Sequence, residues 1–144
     1  MPQLLIFLAC EKVITSTEGT ITAVTILERL DINLPAEAKL PERAAVPMYW
    51  STLTVWHWVP EDEGLVFEQT VQMVTASGEV AMHSGPTDIK VTSEKPRFRV
   101  TEINHQVPIT DGNLTLKLMI REKDKEWIVK AEYPIEVAVT RGMP

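Results

Sequence analysis

The side chains best suited to chemistry in this chain are three histidines, one cysteine and a run of carboxylates. His57, His83 and His105 would make a zinc site if the fold gathered them, since neutral imidazole is a common ligand. No local spacing such as His-x-His supports that, and each falls on a different expected strand. Scattered polar strand residues are the simpler reading, so no metal is assigned. Cys10 sits in an apolar stretch, where a thiol is inert and its pKa raised. Glu61, Asp62 and Glu63 could share a calcium ion with Asp88 and Asp111, but such sites need oxygens from several loops. Within Pro60–Gly64 they read as a solvated turn. There is no Gly-x-Ser-x-Gly elbow, no glycine-rich phosphate loop and no long helix start to hold an anion. Neither a catalytic residue nor a cofactor is assigned, and an enzyme is not expected.

Trp50, Trp56 and Trp58 are the most suggestive group. They share one parity with Met48, Thr52 and Thr54, while Tyr49, Ser51, Leu53, Val55, His57 and Val59 take the other. Both faces are too apolar for either to be fully wet. The tryptophans either fill a core between two layers or form an exposed ridge for a protein partner, an identical subunit or a sugar. Trp50, Trp56 and Trp58 are thus the candidate interaction surface. The leading expectation is a non-enzymatic protein-interaction or self-association module. Carbohydrate or small-ligand binding through exposed tryptophans is the alternative, and a metal-dependent hydrolase a weaker one.

These residues must be positioned by strands. From Glu126 to Thr140 one parity carries Trp127, Val129, Ala131, Tyr133, Ile135, Val137 and Val139, and the other Glu126, Lys130, Glu132, Glu136 and Thr140. That is the period of a half-buried strand. Similar patterns predict strands over Gln3–Val13, Thr20–Ile32, Met48–Val59, Leu65–Ala76, from Glu79 on, Arg97–Val107 and Leu114–Arg121. Pro35, Pro41 and Pro47 break the long connection after strand two, with a helical turn over Ala36–Leu40. Gly85-Pro86 and Pro134 mark bulges or switches between sheets, and the change of parity between Val100 and Ile103 predicts a further bulge. The reading is all-β, with little helix. It is a two-sheet antiparallel β-sandwich of about eight strands in one domain, with a barrel as the minor alternative.

Bulk properties agree. A 144-residue chain buries roughly 68–70% of its unfolded surface, enough for one core without staples. A net charge of −6 with no basic run argues against nucleic acid or an anionic membrane as partner. The lone Cys10 excludes an internal disulfide and suits a reducing compartment. The apolar start lacks the basic region and length of a signal peptide. The expected location is cytoplasmic.

Certain stretches also carry a resemblance. Glu18-Gly19-Thr20-Ile21-Thr22 after Val13, the Pro-rich loop, the Ser77-Gly78-Glu79 hairpin, Asp111-Gly112-Asn113-Leu114-Thr115-Leu116 and Tyr133-Pro134-Ile135-Glu136-Val137 form one series. In this order they resemble a family of small uncharacterised bacterial all-β proteins. The resemblance implies an immunoglobulin-like or related sandwich in a stand-alone cytoplasmic protein, with no catalytic residues to carry over.

Overall fold

Alternating apolar residues build nearly every element of the computed structural model, which describes residues 1–39, 44–92 and 94–142. Among these residues there are nine strands: β1 (Gln3–Thr15), β2 (Ile21–Ile26), β3 (Arg29–Leu34), β4 (Ala45–His57) and β5 (Val66–Val74) come first. Then follow β6 (Val80–Lys90), β7 (Arg97–Pro108), β8 (Gly112–Glu122) and β9 (Ile128–Arg141). Sheet A has the order β2-β1-β4-β7, and sheet B, a curled half-barrel, the order β3-β9-β8-β5-β6. The all-β sandwich is therefore observed. All pairs are antiparallel except β3 beside β9, which is parallel.

The core lies between the sheets because each contributes its apolar parity there. Leu114, Leu116, Leu118 and Ile120 of β8 are all buried, opposite Trp50, Trp56 and Val100 of sheet A. On β9, Ile135 and Val137 join them. A register shift between Leu118 and Met119 breaks the earlier part of that strand's alternation, leaving Val129 exposed.

One expected strand is two. The residues Thr20–Ile32 divide because β1 stops pairing at Cys10↔Ile26, just after Thr25 takes the left-handed φ of 53°. Leu27 then donates its N–H to Ala9 O (2.9 Å) and buries its side chain, while Glu28 O receives the Glu136 N–H (3.0 Å). The chain thus crosses from sheet A to sheet B at Leu27–Glu28. Neither proline site is a crossing. Gly85-Pro86, a cis peptide, stays within β6 where the register against β5 shifts, as the bulge reading requires. Pro134 faces Thr115 of β8 at a point before β3 begins to pair, so its missing N–H costs no ladder bond. The turn after Pro35 is closed by Ala38 N–H to Pro35 O (3.0 Å); the expected helical residue Leu40 and the breaker Pro41 lie outside the described residues.

At the seam between β1 and β9, Phe7 meets Tyr133 edge-on, and the Tyr133 hydroxyl donates to Leu27 O (2.7 Å). Burial pushes the Tyr133 phenol above its ordinary value of 10.0, helped by the charges of Glu28 and Cys10. A group whose folded pKa is raised stabilises the fold fully below its unfolded pKa and loses that contribution as pH rises through the folded value. Stability should therefore begin to fall above about pH 10. Tyr133→Phe should remove part of that alkaline fall, read as denaturant midpoints against pH.

Candidate functional site

β4 is one of the two inner strands of sheet A and carries both candidate faces. Its even residues point at sheet B. Trp50 and Trp56 are 0% exposed and Trp58, just past the strand, 5%. The exposed tryptophan ridge is thus corrected: Trp50, Trp56 and Trp58 belong to the chain's own core and offer nothing to a partner or a sugar on the folded surface. The reason is physical. Each indole buries a large apolar area, and the polar edges of Trp50 and Trp56, which would resist burial, each find a partner. Trp50 Nε1 donates to Gln106 O (2.8 Å), Trp56 Nε1 to Gln69 Oε1 (2.7 Å), and Trp58 stacks on Phe67. Gln69, itself 0% exposed, also donates Nε2 to Thr54 Oγ1 (3.2 Å), so its amide ties the two sheets through the core.

The other candidates are dispersed. His57 and His105 are on sheet A, His83 on sheet B, and no group of three His, Cys, Asp or Glu side chains is placed to hold a metal among the described residues. Of the candidate carboxylates, Asp62 and Asp88 are engaged in structure, while Glu61, Glu63 and Asp111 are exposed. Asp62 is buried in a short 3-10 turn, Pro60–Asp62, and takes the Met1 ammonium at 2.6 Å. Asp88 pairs with Lys123 (3.3 Å). Glu68 accepts from Arg121 Nε at 2.6 Å, and that guanidinium lies 4.4 Å over the Trp127 ring. Burial raises the Cys10 thiol, as its sequence setting implies.

The odd residues of β4 face away from sheet B, and here the sequence reading missed the most informative surface. Leu53 and Val55 are buried although they lie outside the inter-sheet core. The tip of the β1–β2 hairpin (Gly19, Thr20, Ile21) faces Ile6, Val55, Arg97 and Arg99 across a cleft of about 480 Å³. The hairpin therefore turns back over this outer face. At the far end of β7, Tyr49 (73% exposed) meets His105 edge-on with ring centres 5.0 Å apart, and Ile103 (67% exposed) lies two residues away on the same face.

Ile103 marks a misread parity. The expected change of side in this strand comes later, where β4 inserts an extra residue between Pro47 and Trp50; Val107 then enters the core. Glu102 and Asn104 point inward instead, and Glu102 accepts from the Thr87 hydroxyl of β6 at the β6–β7 seam. Among the described residues, no helix is long and apolar enough to cross a membrane. Against protein-family models and curated proteins, the chain matches none.

Proposed function

We propose that this chain is a non-enzymatic interaction module that associates through the outer face of sheet A, its partner being a second copy of itself. The observation that carries this reading is the patch of Tyr49, Ile103 and His105, beside the unpaired edge of β7. A sheet face that holds a large aliphatic and a large aromatic side chain in water gains by covering them. A two-fold dimer would set this patch of one copy against the same patch of the other. Two of the groups suited to chemistry, Asp62 and Cys10, are committed to pairing or packing within the fold, which supports this reading. A bacterial source and a place in the cytoplasm belong to the same proposal and rest on the sequence resemblance and the lone thiol.

Sedimentation equilibrium tests it. The wild type should be dimeric and Ile103→Lys monomeric with an unchanged far-ultraviolet dichroism spectrum, its melting temperature falling only by the concentration-dependent share that the dimer supplies. A wild type that stays monomeric at millimolar concentration refutes the proposal.

A further inference from the structure

We infer that the cleft under the β1–β2 hairpin tip binds an organic carboxylate, with its charge on Arg97 and Arg99 and its hydrocarbon body on Ile6, Ile21 and Val55. The volume of about 480 Å³ falls in the range of roughly 300–1,000 Å³ that small-molecule sites occupy. Sheet A supplies the floor and the hairpin the roof. Arg97 and Arg99 sit two apart on β7, so they share a face with Cα atoms roughly 7 Å apart. Two guanidiniums at that spacing can fork one carboxylate from either side.

Their lack of partners is the telling point. The chain carries 20 acidic residues against 14 basic ones, and the other described arginines are all engaged. Arg29 pairs with Asp31 and Glu136, Arg121 with Glu68, and Arg141 donates to Pro35 O and Ala38 O. Arg97 and Arg99 make no ion pair or hydrogen bond among the described residues. Their cross-strand neighbours are His57 and Val55, which offer no carboxylate. Two adjacent positive charges left open beside an apolar floor match an anion with an apolar body. A bare inorganic anion would leave the floor unused, and a neutral apolar molecule would leave both guanidiniums unmatched.

The carboxylate could come from a fatty acid or from the C-terminus of an apolar peptide; octanoate and N-acetyl-leucyl-leucine represent the two. Calorimetric titration should show binding of at least one, and the tighter probe identifies the source. The double variant Arg97→Gln/Arg99→Gln should weaken that probe at least tenfold while melting at the wild-type temperature, because both side chains are exposed. Ile21→Asp, at the hairpin tip, should weaken it independently. Octan-1-ol and inorganic phosphate should each bind at least tenfold more weakly than the better carboxylate. No heat with either carboxylate overturns the inference, as does equal binding of octanol or phosphate, or affinity unchanged in the double variant. The site is separate from the self-association patch at the other end of β7. Ile103→Lys should leave carboxylate binding intact, so either reading can fail alone.

Discussion

Trp56→Ala should lower the unfolding free energy by about 3–5 kcal/mol, the cost of emptying a large aromatic site in a packed core. Domains of this kind are stable by about 5–15 kcal/mol in total, so the variant should lose a large share of its margin. The indole is fully buried, and its removal also strands Gln69 Oε1, which accepts the Trp56 N–H at 2.7 Å. Urea denaturation reads the effect as a lowered midpoint with an unchanged slope. Had the tryptophans formed an exposed ridge, the change would have stayed within about 0.5 kcal/mol. The experiment thus separates core from surface directly.

Gln69→Leu should cost about 1–3 kcal/mol despite making the core more apolar. The leucine fills a similar volume but leaves the Trp56 N–H buried without an acceptor, and an unsatisfied buried donor carries its full desolvation penalty. Thr54 Oγ1 loses the Gln69 Nε2 donor as well. The bond between the two residues has a specific signature in a double-mutant cycle. Trp56→Phe with Gln69→Leu removes both polar partners together, so the double variant should lose less than the sum of the single losses. The expected coupling is about 0.5–3 kcal/mol. Additive losses would mean that the amide and the indole do not share a bond.

Strand content was legible where alternation was clean, as in β8, whose four alternating apolar residues Leu114, Leu116, Leu118 and Ile120 are all buried. It was less legible where three-dimensional pairing decides. No local break separates β2 from β3 in the apolar register of Val24, Ile26, Leu30 and Ile32; the crossing at Leu27–Glu28 is set by hydrogen bonds to Ala9 and Glu136, far away in sequence. The prolines drew attention as candidate crossings because they lack an N–H, yet one lies in a bulge and the other on a locally unpaired edge. The site was less legible still. A glutamine reads as solvent-facing, and only the closeness of Trp56 and Thr54 makes Gln69 a core residue. Ile103 reads as core by composition, although the pleat turns Glu102 and Asn104 inward and leaves the isoleucine in water. The open arginines have no sequence signature, since pairing depends on which carboxylates the fold brings within reach.

A series of amide and indole NMR spectra recorded over increasing protein concentration tests the proposed self-association most directly. Association through the outer face of sheet A requires concentration-dependent shifts centred on Tyr49, Ile103 and His105, with the indole signals of Trp50 and Trp56 unmoved. Shifts centred on sheet B, or spectra that do not change with concentration, would contradict it.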